Sequence, residues 1–100
     1  MENKVTVLSV SKYKNHYRTF VKFDIKINEI THELNMTFSD FTYDNIINIL
    51  INIVYPQDKM QAIINNYLLD KEEKHIIEFN EMQNYRKHCK DIAKDVLTKI

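Results

Sequence analysis

The spacing of hydrophobic and polar residues changes near residue 41. Up to residue 38 they alternate, and beyond 41 they recur every three or four positions. Residues 17–27 form the clearest alternating segment. Tyr17, Thr19, Val21, Phe23, Ile25 and Ile27 share one face, and Arg18, Phe20, Lys22, Asp24 and Lys26 share the other. Residues 30–38 repeat the pattern, with Ile30, His32, Leu34, Met36 and Phe38 opposed to Thr31, Glu33, Asn35 and Thr37. A two-residue loop at Asn28-Glu29 makes these segments one hairpin. It sets Ile27 against Ile30, Ile25 against His32, Phe23 against Leu34, Val21 against Met36 and Thr19 against Phe38. Both apolar sets then lie on one face, and a slip of one residue would turn one set into solvent. Residues 4–11 predict a less regular first strand, joined by a turn near Lys14-Asn15-His16. Two registers suit that strand equally.

The run from Phe41 to Val54 is the most apolar in the chain. Its many isoleucines favour a strand by propensity. Asn45, Asn48 and Asn52, spaced by three and then four, lie on one face only if the segment is helical. Ser39 or Thr42 suits its N-cap, and Asp40 and Asp44 suit its positive end. The helix should stop at Tyr55, because Pro56 disfavours helical geometry in the residue before it. Pro56 then opens a second helix running to about Leu69, with Met60, Ile63, Ile64, Tyr67 and Leu68 on its packing face. Asp70-Lys71-Glu72-Glu73 reads as a capping box before a third helix. Phe79, Met82, Tyr85, Cys89, Ile92, Ala93, Val96 and Ile100 give that helix its stripe. Its length, roughly 40 Å at 1.5 Å per residue, predicts either a bend near Asn80–Asn84 or a projecting end. The fold expected is α+β: one domain over 1–100, with a three-stranded antiparallel β-meander at 4–38. Three α-helices at 42–99 pack on one sheet face, the first of them directly on the sheet.

Composition narrows the function. Fourteen acids balance fourteen bases, so no global charge points to nucleic acid or an anionic membrane. The absence of glycine rules out phosphate-binding loops of the P-loop and dinucleotide kinds. One cysteine, Cys89, precludes an intramolecular disulfide and implies a reducing compartment. Met1-Glu2-Asn3-Lys4 is not followed by the apolar core of a signal peptide. The 46–54 run is too short for a membrane span, so a soluble intracellular protein is expected. Fourteen Ile, twelve Lys and eleven Asn have AT-rich codons and point to an AT-rich genome.

The stretch Lys12-Tyr13-Lys14-Asn15-His16-Tyr17-Arg18 joins fixed positive charge to aromatic rings, with Phe20 and Lys22 beyond it. Lys12, Tyr13, Lys14, His16, Tyr17, Arg18, Phe20 and Lys22 are therefore candidate contacts for a partner. Rings stack on bases while Lys and Arg meet phosphates, and the same set suits an acidic protein surface. A polar hairpin tip of ordinary composition is the simpler account. Asp24-Ile25-Lys26 has the D-x-K form of some nuclease sites, but alternating charge on a solvent face explains it better. His16, His32, His75 and His88 lack metal-ligand spacing, and Cys89 has neither a second thiol nor an evident base. No metal, cofactor or enzymatic activity is expected. Acid-first, base-last charge along the third helix suits its dipole without any partner. Tyr55 and Tyr85 are read as interface aromatics beside Tyr13, Tyr17 and Phe20, and at least one sheet edge is free for strand addition.

The C-terminal part, from Tyr55-Pro56-Gln57-Asp58 through Asn65-Asn66-Tyr67-Leu68 to Tyr85-Arg86-Lys87, resembles small proteins of tailed bacteriophages of gut bacteria. The resemblance implies a phage setting, and with it a location in the host cytoplasm or in a virion, and assigns no role to any residue. The function expected is a non-catalytic phage-type protein-interaction module, virion-associated or acting in assembly, with self-association open to it. Two alternatives stand beside it. One is an inhibitor of a host enzyme or defence protein, and the other is a small nucleic-acid-binding protein using the basic and aromatic hairpin.

Overall fold

A computed structural model describes residues 3–100. Strands β1 (Val5–Asn15), β2 (Arg18–Ile27) and β3 (Ile30–Thr37) form an antiparallel sheet in the order β1-β2-β3. A 3-10 turn at Phe38–Asp40 leads to α1 (Tyr43–Val54), α2 (Gln57–Leu69) and α3 (Glu73–Thr98). This is the α+β arrangement expected, with the helices packed on the sheet.

The second hairpin has the expected register, from Ile27↔Ile30 through Val21↔Met36. Its ladder ends at Phe20↔Thr37, so Thr19 and Phe38 do not pair. Phe38 leaves the strand because Thr37 caps the 3-10 turn, its hydroxyl accepting from the Asp40 N–H. The first hairpin is longer than expected, and its turn is His16-Tyr17, just beyond the position predicted. β1 has an extra residue between Val7 and Ser9, a β-bulge. Val5 and Val7 pair with Ile27 and Ile25 on the inner face, and beyond the bulge Val10 pairs with inward Phe23. The inward parity therefore changes from odd to even residues. That is why no single alternation describes this strand.

With no glycine available, positive φ falls on His16 (57°), Asn28 (49°) and Glu29 (72°). Positive φ at both 28 and 29 is the type I′ geometry that matches strand twist. Asn28 also holds the start of the chain. Its N–H donates to the Lys4 carbonyl, its Oδ1 accepts from the Lys4 N–H, and its Nδ2 donates to Asn3 Oδ1. Glu29 gains only an exposed ion pair with Lys26 at 3.2 Å.

The core is a stripe on β2 covered by helices. Val21, Phe23, Ile25 and Ile27 are buried with Ile46, Ile47 and Leu50 of α1 and Met82, Tyr85, Cys89, Ala93 and Val96 of α3. Each large side chain in such a place contributes about 1.5–3 kcal/mol by leaving water. The Thr42 hydroxyl accepts from the Asn45 N–H to cap α1, which ends at Tyr55 as expected. Asn45, Asn48 and Asn52 are exposed, the arrangement their spacing predicts. α3 is one uninterrupted helix lying against β1, α1 and α2. Cys89, Ala93 and Val96 carry its second half into the core, so its far end does not project.

Three local expectations fail. Tyr55 and Tyr85 are core residues with ring centroids 5.6 Å apart. The Tyr85 hydroxyl donates to the Leu50 carbonyl, and the Tyr55 hydroxyl accepts from Asn3 Nδ2 at 2.9 Å. A tyrosine can be buried when its oxygen finds such a partner. Leu68 is exposed with Leu69, because α2 packs on α3 through Ile63 and Tyr67, the latter against Phe79. No capping box opens α3. Asp70 instead accepts from the Glu72 N–H at 3.1 Å and bonds His75 Nδ1 at 2.6 Å.

Glu29 holds a left-handed backbone for little return, since its ion pair is solvent-exposed. Replacing Glu29 by Gly is expected to raise unfolding stability by about 1 kcal/mol, measured by urea denaturation.

Candidate functional site

The two edges of the sheet differ. β1 carries a bulge, places Lys12 and Lys14 along its outer half and has α3 against it. Bulges, lysines and covering helices are the usual means of preventing a strand edge from pairing. β3 has none of these. It is eight regular residues long, with no proline, lysine or bulge.

The hairpin turn determines which backbone groups β3 exposes. A two-residue loop makes Ile27 and Ile30 exchange both hydrogen bonds, and such pairs recur at every second residue. His32, Leu34 and Met36 therefore direct their amides at β2. Thr31, Glu33, Asn35 and Thr37 direct theirs away from the sheet. Among the described residues, none of these four backbones has a hydrogen bond outside the strands. An open edge of this kind is a template for another strand.

A groove of about 610 Å³ lies alongside the second half of β3. Phe20, Asn35, Met36 and Thr37 form one wall, and Asn45, Asn48, Ile49 and Asn52 of α1 form the other. The α1 amides each offer both a donor and an acceptor to whatever enters. Exposed apolar residues stand at either end of the strand, Ile30 at 61% and Phe38 at 47% exposure. The free edge and the asparagine stripe were each legible in the sequence. That they border one groove depends on how α1 crosses the sheet.

The eight hairpin residues singled out from the sequence do not form one surface. The register puts Tyr13, Arg18, Phe20 and Lys22 on the outer face, away from the helices. Lys12 and Lys14 pair with Val21 and Thr19 and so lie on the inner face. His16 and Tyr17 form the turn, where Tyr17 is fully exposed. Tyr13 and Phe20 stack on each other across the strands at 5.6 Å, and the Tyr13 hydroxyl accepts from Asn35 Nδ2 at 2.7 Å. Lys12 Nζ lies 5.2 Å from the centre of the Phe38 ring. Much of the apparent binding chemistry is therefore engaged within the sheet.

Asp24 lies opposite Glu33 and accepts from the Ser9 hydroxyl, while Lys26 pairs with Glu29. Among the described residues, the one group of three that could hold a metal ion is Asp70, Glu72 and His75, where the α2–α3 loop meets α3. Asp70 is already engaged there, and its carboxyl titrates below the usual carboxylate range because of the Glu72 N–H and then His75. Burial pushes the Cys89 thiol up to about 11, and burial also raises the Tyr85 phenol beside it. A protonated thiol is not nucleophilic. His32 is half-buried at the boundary of the core. Comparison of the chain with protein-family models, curated proteins and solved structures gives no match.

Two solution properties are expected. Cys89 should resist a thiol reagent at pH 8 in the native protein and react promptly in denaturant. Asp70 has a depressed pKa, so its contribution to stability is complete above the ordinary carboxylate value of 3.8 and is lost as pH falls through the lower folded value. Urea unfolding of Asp70→Asn and wild type should therefore differ by a constant amount at neutral pH, and the difference should shrink below about pH 4.

Proposed function

We propose that this chain is a non-catalytic protein-interaction module that binds by adding a partner's strand to β3. The observation that carries this reading is an undefended edge strand with four outward backbone positions beside an amide-lined groove. Main-chain bonds supply affinity in such complexes, and pockets for alternate side chains supply specificity. The groove provides both kinds of wall, apolar at Met36 and Ile49 and polar at Asn45, Asn48 and Asn52. The phage setting implied by the C-terminal resemblance makes the partner a virion or assembly component. A host enzyme or defence protein bound as a target is the alternative within the same reading. The edge is preferred to a nucleic-acid reading of the hairpin because the hairpin's charges divide between two faces and its rings stack on each other.

Glu33→Pro tests the proposal. The Glu33 N–H points away from β2, so proline there removes no ladder bond and takes a central outward donor away from a new strand. Circular dichroism should show a folded variant. In affinity capture, a protein partner, whether a second copy or another chain, should be retained at least about tenfold less well than by wild type. Equal retention by the two proteins overturns the reading.

A further inference from the structure

We propose that the occupant of the β3 edge is β3 of a second copy of this chain, forming a two-fold dimer with a continuous six-stranded antiparallel sheet. This rests on the edge reading above and specifies its partner. A two-fold axis pairs the same patch with itself, so every contact must be self-complementary. The outward amides of Thr31, Glu33, Asn35 and Thr37 restrict the registers to steps of two residues. Centring the axis on Glu33 would set two carboxylates opposite each other, which is destabilising. Centring it on Asn35 would carry Ile30, Thr31 and His32 past Thr37, the end of the facing strand.

Centring on Leu34 avoids the first fault and leaves only Ile30 beyond the facing strand. Glu33 of one copy then faces Asn35 of the other, and Thr31 faces Thr37, so all four outward positions pair without like charges. On the helix side Leu34 meets Leu34 and His32 meets Met36. The start of the facing strand, with its Ile30 and His32, runs into the groove beneath Asn48, Ile49 and Asn52. Asparagine is uncharged and both donates and accepts, so two symmetric stripes can approach without repulsion. The β1 edge offers no such match, because its bulge and its lysines stand in the way.

The test is the solution mass of the purified chain by light scattering across its accessible concentration range, with Glu33→Pro and Leu34→Cys as companions. The expected result is twice the chain mass of 12.1 kDa for wild type and the single mass for Glu33→Pro. Opposed residues that direct their amides elsewhere lie about 4.5 Å apart at Cα, within disulfide range. Leu34→Cys should therefore give a disulfide-linked dimer on mild oxidation, and Tyr17→Cys should not, while native Cys89 stays buried. A single-chain mass at every concentration overturns the dimer. It leaves the edge reading to the capture experiment, where a different protein would then be the partner. A dimer that survives Glu33→Pro, or that links through Tyr17→Cys rather than Leu34→Cys, also overturns it.

Discussion

Everything in this domain depends on burying one stripe of β2. Val21, Phe23, Ile25 and Ile27 reach the core only if both hairpins keep their register, because a slip of one residue would replace them with Lys22, Asp24 and Lys26. The register is held by two tight turns and by the helices that cover the stripe. The turns are assembled without glycine. Left-handed backbone at His16, Asn28 and Glu29 costs free energy that glycine would spare. At Asn28 the cost is offset by bonds that fasten the start of the chain to the end of β2.

α3 is the element that turns a sheet and a hairpin of helices into one body. It touches β1, α1 and α2, and it brings Tyr85 to the carbonyl of Leu50. Its basic C-terminal half is a solvated face around a buried stripe of Cys89, Ala93 and Val96. The same placement sets α3 against β1. β1 also carries a bulge and lysines that β3 lacks, and that asymmetry is the basis of the functional reading. A molecule that bulges, charges and covers one edge has the means to prevent pairing, and those means are missing at β3.

The aromatic and basic hairpin shows how a local pattern can mislead. Read along the chain, Lys12 to Lys22 is a cluster of charge and rings. In a strand, neighbours point to opposite faces, and a paired strand supplies partners for the rings. Tyr13 is taken up by Phe20 and Asn35, and Lys12 lies near Phe38. In a β-hairpin, residues adjacent in sequence fall on opposite faces, and here that divides the cluster.

The sequence alone determined the order and kind of the strands and α-helices, the β2–β3 register, the end of α1 at Tyr55 and the solvent face of Asn45, Asn48 and Asn52. These follow from period, turn length and the chemistry of helix ends, which act over a few residues. Tertiary structure decided the rest. The bulge in β1 was hidden because an inserted residue reverses the alternation that reveals a strand. Tyr55 and Tyr85 could be assigned to the core only once Asn3 and Leu50 were in reach of their hydroxyls. Which edge stayed open, and that the asparagine stripe borders it, depended on the path of α1 and α3 over the sheet. Those are contacts between residues far apart in the chain, and no local pattern encodes where such residues meet.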